Sequence, residues 1–423
     1  MLKKSFLSVS LALCALTAAR AQDHSDLDVT VNKFQTLYNN EASKDIFNMF
    51  SDRIKTLMPQ EQTTQTMTQL HQQLGDMKGY SFVKQEQGIS FYKADFEKSS
   101  MTMAISQNSD KKLESFRFMP WQDEQDKDKV SDLVYKSPAG KIYGTFSMPE
   151  TDKRVPVVLI IAGSGPTDRN GNQTLSVKGD TYKMLADSLK KASIASVRYD
   201  KRGIGESSGA LKNEADMRFE DMVNDAAGIA AMLKTDKRFS SVIILGHSEG
   251  SLVGMLAAIK EPVNAYISVS GLANSADKIL IRQIAAQSEE LSLKAAFMLD
   301  SMNKGKKIEN TDPELATLFR PSVQPYLRSW MKYEPRTEIQ KLNIPVLIVQ
   351  GTTDIQVSEG EAVTLKEAYP KATLSVIKDM NHVLKKAPMD RKQNMATYTE
   401  PKLPLAPGLM SAITAFISAS TRS

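Results

Sequence analysis

Two short stretches of the chain carry the pattern Gly-x-Ser-x-Gly: Gly246-His247-Ser248-Glu249-Gly250 and Gly205-Glu206-Ser207-Ser208-Gly209. A serine hydroxyl is a poor nucleophile in water at neutral pH. In this pattern it becomes one when a strand runs into a strained turn and a helix follows at once, holding the oxygen beside a base and an oxyanion site. The chemistry on offer is attack on a carbonyl carbon, with transfer of the acyl group to serine and then to water. Only one copy has the required flanks. In "SVIILGHSEGSLVGMLAA" the apolar run Val242 to Leu245 reads as a buried strand, and Ser251 to Ala258 opens a compact helix. The other copy follows "RYDKRGI", which is polar and glycine-rich, so Ser207 reads as a loop residue and Ser248 as the nucleophile.

The base follows by elimination. The chain has four histidines, His24, His71, His247 and His382. The first two lie far towards the N-terminus, and His247 is too close along the backbone to turn its ring onto its own neighbour. His382, in "VIKDMNHVLKK" just past the last expected strand, is left as the general base. The acid should lie between them in the chain order serine, acid, histidine. "IPVLIVQGTTDIQV" supplies a strand, a glycine turn and Asp354, placed to accept a hydrogen bond from the far ring nitrogen of His382 and to fix its tautomer. Asp379 is the rival, but it stands too near His382 along the loop to brace it from behind. For the oxyanion, the Glu249 N–H opens the helix after the nucleophile, and the loop in "LIIAGSGPTDRNG" offers the Ser164 N–H, with Gly165 as the alternative. No cluster of histidines and carboxylates calls for a metal, and the chemistry needs no cofactor.

The elements that must position these residues follow from the apolar patterning. From Ser131 onward, "VPVVLIIA", "IASVRYD", "SVIILG", "AYISVSG", "IPVLIVQG" and "ATLSVIKD" are short apolar runs without alternation, mostly separated by helical stretches. That is the pattern of an α/β domain whose mostly parallel sheet is covered on both faces. "DLVYKS" and "KIYGTFSMP" read as a hairpin at its edge. A strandless helical segment at about 272–340 reads as an inserted lid. Residues 23–120 differ: helical spacing through Val31, Phe34, Leu37, Ile46 and Phe50 gives way to alternation from Tyr80, which predicts a small α+β domain. The charged stretch 121–130 is expected to link it to the domain at 131–423.

Residues 1–21 have the form of a secretory signal peptide, with Lys3 and Lys4, an apolar run too short for the ~20 residues of a membrane span, and Ala19-Arg20-Ala21 before the cut. Export to the periplasm or the extracellular space is therefore expected, with no membrane span after cleavage. Removing the leader takes away three positive charges and lowers the formal +5 to about +2, which gives no reason to expect nucleic acid as a partner. It also takes the only cysteine, Cys14, so neither disulfides nor thiolate chemistry is expected. With 41% hydrophobic and 24% charged residues, the remainder has the composition of a globular protein, and the sequence sets no oligomeric state.

Taken together, "GHSEGS", "GTTDIQV", "MNH", "AGSGPTDRNGN" and "YDKRGIGES" resemble the α/β-hydrolase superfamily, in the exported bacterial esterase and serine-aminopeptidase-like branch. The resemblance covers about Ser131 to the end. It implies a serine hydrolase acting on a small-molecule ester, or alternatively on a short peptide. It also implies that Asp200, Arg202 and Gly203 structure the loop behind the oxyanion site. One departure is Ala162-Gly163 where the family commonly has His-Gly. An aminopeptidase would further need carboxylates near Ser248 to hold a free amine, for which Glu249, Glu289 and Glu290 are the candidates. The front region resembles, in order and size only, the cone-shaped domains of nuclear-transport-factor type. His71 there reads as surface rather than as a site.

Overall fold

In the computed structural model, residues 25–421 are described apart from 87, 122–131, 174–176, 310 and 313. The expected leader and most of the expected linker lie outside the described residues. The chain divides into two compact units, Met1–Gln122 and Asp123–Ser423.

In the first unit, helices α1 (Ser25–Asn39), α2 (Ser43–Met49), α3 (Asp52–Leu57) and α4 (Gln60–Leu74) precede strands β1 (Met77–Glu86), β2 (Ile89–Phe96), β3 (Ser100–Gln107) and β4 (Leu113–Pro120). The strands form an antiparallel sheet in sequence order. On β2 every second residue is buried, so Tyr92, Ala94 and Phe96 join Phe34, Tyr38 and Phe50 in a single core. His71 lies near the end of α4 with its Nε2 3.0 Å from an Asp76 carboxylate oxygen and its ring centroid 5.3 Å from that of Tyr38. It is packed into the helix end rather than freely solvated.

The second unit is built on eight strands: β5 (Leu133–Ser137), β6 (Gly140–Ser147), β7 (Val155–Ile161), β8 (Ala195–Tyr199), β9 (Phe239–His247), β10 (Ala265–Val269), β11 (Val346–Gly351) and β12 (Thr373–Ile377). Their spatial order is β12-β11-β10-β9-β7-β8-β6-β5. The six from β12 to β8 are parallel, and β6 and β5 close one edge as an antiparallel hairpin. The central strands are mostly apolar because both of their faces are covered. Val157, Leu159 and Ile161 belong to one core cluster, and their neighbours Val158, Ile160 and Ala162 to the other.

The crossovers are made by α5 (Thr181–Lys191), α6 (Phe219–Thr235) and α7 (Glu249–Lys260). Between β10 and β11 the chain inserts α8 (Ala276–Ala285), α9 (Glu289–Asn303), α10 (Ala316–Phe319), α11 (Gln324–Trp330) and α12 (Pro335–Glu338). Helices α13 (Glu359–Ala368), α14 (Arg391–Ala396) and α15 (Leu409–Ser420) complete the unit. Trp330 of α11 stacks on Phe219 of α6 with ring centroids 5.9 Å apart and planes 6° from parallel. Among the described residues no helix is long and apolar enough to cross a membrane.

Candidate active site

In a parallel sheet the loops that follow the carboxyl ends of the strands share one edge. The candidate residues all fall there: Ser248 after β9, the loop from Ala162 after β7, Asp354 after β11 and His382 after β12. Strand β9 lies between β7 and β10, with Gly246 opposite both Ile161 and Ser268. The loop after β7 therefore begins beside the turn that carries Ser248.

That turn is strained. Ser248 has φ 55° and ψ −124°, a conformation that non-glycine residues adopt only when held. Sterics account for the two glycines of the pentapeptide. A Cβ on Gly246 would stand 2.1 Å from the Gly250 carbonyl oxygen, and one on Gly250 would stand 2.5 Å from the carbonyl oxygens of Ile161 and Ala162. Ser248 is the only residue of the five that is not buried. Its N–H donates to the Val269 carbonyl at 2.9 Å, and helix α7 begins at the next residue. Ser207, by contrast, is fully buried in a 3-10 turn, where its hydroxyl accepts the Tyr143 N–H at 2.9 Å.

His382 Nδ1 lies 2.8 Å from Asp354 Oδ2, and both residues are buried. Asp354 is saturated: its Oδ1 accepts the N–H groups of Gln356 and Val357, each at 2.9 Å, and its Oδ2 also accepts from the Gln350 amide at 3.3 Å. Burial pushes this carboxyl up, but His382 and those two N–H donors more than offset it and hold it below its ordinary value. An ionised acceptor at Nδ1 leaves the other ring nitrogen, Nε2, free to take a proton. Asp379 stands apart, 3.9 Å from the Lys386 ammonium.

His247 has a role the sequence did not disclose. Its Nε2 is 2.9 Å from the His382 carbonyl oxygen and its Nδ1 is 2.8 Å from the Tyr182 hydroxyl. A carbonyl only accepts, so Nε2 carries the hydrogen, Nδ1 accepts from Tyr182, and the Tyr182 oxygen in turn accepts the Gly163 N–H at 3.0 Å. The ring must be neutral to do this. Burial, helped by the nearby His382, pushes its pKa down to about 3. One chain of hydrogen bonds thus runs from the loop after β7, through the residue before Ser248, to the backbone of His382.

The loop from Gly163 to Gly165 approaches Ser248 closely: a Cβ on Gly163 would stand 3.2 Å from the Ser248 Cβ. The Ser164 carbonyl accepts from the Thr167 hydroxyl at 2.9 Å and the Gln173 amide at 3.1 Å. Among the described residues, the N–H groups of Ser164 and Gly165 have no protein acceptor. The Glu249 N–H has no partner one turn back, because it starts its helix. Behind the loop, Asp200 accepts from the Arg169 backbone at 2.9 Å and from its guanidinium at 2.6 Å, and Arg202 binds Asp225 through two contacts of 2.8 Å.

The Glu249 side chain points away from solvent. Its Oε1 accepts from the Tyr326 hydroxyl of α11 at 2.6 Å, and its Oε2 lies 3.9 Å from the Lys201 ammonium. Burial raises its pKa and lowers that of Lys201. Glu289 and Glu290 are exposed on α9, with Glu290 paired to Lys294 at 2.7 Å.

The chain is similar to known proteins in both of its units. A family model described as serine aminopeptidase, S33, matches residues 177–386. Another, described as protein of unknown function (DUF3887), matches residues 31–116. Esterase EstD of Thermotoga maritima is 22% identical over 361 residues, covering 81% of this chain and 84% of that one. Among solved structures, Est1E from Butyrivibrio proteoclasticus is similar over 69% of this chain and 99% of its own at 18% identity, with a TM-score of 0.45. A thermophilic esterase from Thermogutta terrifontis is similar over 68% and 98% at 19% identity, with a TM-score of 0.42. The parallel sheet, the strained serine between β9 and α7, the match over residues 177–386 and the relationship to Esterase EstD identify the second unit as an esterase-like α/β hydrolase.

Proposed function

We propose that the protein is an exported carboxylesterase that works through an acyl-enzyme on Ser248. In this reading His382 takes the Ser248 proton as the hydroxyl attacks the ester carbonyl, and Asp354 holds the imidazole and stabilises its charged form. The N–H groups of Glu249 and Ser164, with Gly165 as the alternative second donor, receive the oxyanion. His382 then protonates the departing alcohol, and water repeats the sequence on the acyl group. No step requires a metal or a cofactor. Residues 1–21 act as the leader, and the periplasm or the extracellular space is the working compartment.

The observation that carries the choice of ester over peptide is the state of Glu249. It is the carboxylate nearest the nucleophile along the chain, yet it is buried and already engaged by Tyr326 and Lys201. A free α-amine would have to displace those partners, at a cost of several kcal/mol for breaking a buried polar network. An uncharged ester makes no such demand. The family description keeps a serine aminopeptidase as the competing reading.

A panel of p-nitrophenyl acetate, p-nitrophenyl butyrate and aminoacyl p-nitroanilides separates the two. The ester reading predicts turnover of the p-nitrophenyl esters and at least ~100-fold lower kcat/KM on the anilides, with all turnover lost in Ser248→Ala. Faster cleavage of the anilides would transfer the assignment to the peptidase.

A further inference from the structure

Lys201 stands in "YDKRGIGES" between Asp200 and Arg202, which the family resemblance treats as loop-building residues, and the mechanism above makes no use of it. It is nevertheless buried, an unusual place for an ammonium group. Its Nζ donates to the Gly163 carbonyl at 2.6 Å and to the Gly165 carbonyl at 3.0 Å, and it faces Glu249 at 3.9 Å. Two of the three N–H donors of the ammonium are thus directed at carbonyls of the loop, with the carboxylate as a nearby opposite charge.

The first contact bears on the chemistry. A trans peptide is planar, with its C=O and N–H pointing in opposite directions. The Gly163 carbonyl and the Ser164 N–H belong to one such unit. Drawing that carbonyl onto the buried ammonium turns the Ser164 N–H to the opposite side, towards the solvent-open face of the loop. There Ser164 is exposed, and Ser248 is the residue of its pentapeptide that remains partly open. A charged donor on the carbonyl also polarises the peptide and makes its N–H a stronger donor. The second contact pins the other end of the same turn at Gly165, which has φ 76°. The Tyr182 hydroxyl fixes the turn's beginning through the Gly163 N–H.

We infer that Lys201 is a positioning residue for the oxyanion site: from behind the loop it sets the direction and strength of the Ser164 N–H. Glu249 completes the arrangement. The residue whose own N–H is the other expected donor places its carboxylate against the same ammonium, so both donors are referred to one buried charge. The inference rests on the proposal that Ser248 is an acyl-accepting nucleophile.

The test follows the rate at which a fluorophosphonate reacts with Ser248, because phosphonylation develops negative charge on the same oxygen position whatever ester the enzyme prefers. It is measured alongside kcat and KM for p-nitrophenyl acetate, per titrated active site, in wild type, Lys201→Met and Lys201→Gln. Losing one oxyanion donor typically lowers the rate by about 100- to 1,000-fold. A misdirected donor should therefore lower phosphonylation and kcat together by about 10- to 100-fold in the methionine variant, with KM within about threefold. Lys201→Gln, which keeps a neutral donor, should fall between the two. If the methionine variant does not fold, the glutamine variant must still lose at least about fivefold in both rates. Wild-type rates per titrated site in either variant, or a loss confined to the number of titratable sites, would reduce Lys201 to a structural residue. A wild-type enzyme that reacts with the fluorophosphonate but turns over no ester would instead count against the ester assignment and leave the Lys201 comparison readable.

Discussion

His247 shows how much depends on one protonation state. As a neutral ring it donates to the His382 carbonyl and accepts from Tyr182; as a cation it would have to give up the second bond. Its pKa in the folded protein is near 3, against about 6.5 for an unperturbed histidine. Between those values the unfolded chain binds more protons than the folded one. The stability tied to the neutral ring is therefore complete above pH 6.5 and is lost as pH falls towards 3, by at most about 5 kcal/mol. His247→Asn should lower unfolding stability and kcat at pH 7, the latter by about tenfold, because the His382 backbone loses its tie. In urea unfolding at pH 7, 5.5 and 4.5 the gap between wild type and variant should narrow with acid. A gap independent of pH would mean that the ring is not held neutral in this way. The sequence places this histidine beside the serine, but its partners stand 65 and 135 residues away, and no local pattern discloses them.

At the scale of elements, the insertion between β10 and β11 is fastened at its beginning as well as along α11. Glu361 of α13 is buried: its Oε2 accepts the N–H groups of Ala273 and Asn274 at 2.7 and 3.1 Å, and its Oε1 accepts from the Asn274 amide at 2.9 Å and from Arg282 of α8. Burial raises this carboxyl, but the Ala273 N–H and Arg282 outweigh it, so it stays below its ordinary range. At the far end, Ser329 accepts the Phe219 N–H at 2.7 Å and Trp330 stacks on the Phe219 ring. Held in this way, the inserted segment is proposed to act as a fixed cap. Glu361→Ala should cost about 3 kcal/mol, since it leaves two backbone donors and a guanidinium without their acceptor. Hydrogen exchange should rise first in residues 272–303 and not in β9; equal loosening of both would show that Glu361 supports the whole unit and not the cap. The apolar runs made the strands readable, and the absence of such runs made the insertion readable as helical. Its packing was not, because Glu361, Tyr326 and Trp330 meet their partners across 77 to 111 residues.

Across the whole molecule, the candidate chemistry falls within one of the two units. Every candidate catalytic residue lies between Gly163 and His382, within the second unit, whose sheet is covered by an apolar core on each face. The parallel order that brings four loops to one edge was legible from the unbroken apolar runs, and the strained serine from its glycine-flanked turn. The buried charges Lys201 and Glu249 were not legible, since a polar residue in a glycine-rich loop looks the same in sequence whether it faces water or the back of the site. Peptide mapping after fluorophosphonate labelling asks whether Ser248 is the nucleophile. Trypsin releases Ser248 within Phe239–Lys260 and Ser207 within Gly203–Lys212. A Ser248 nucleophile gives a single adduct on Phe239–Lys260 that disappears in Ser248→Ala; an adduct on Gly203–Lys212, or one that survives the substitution, would rule it out.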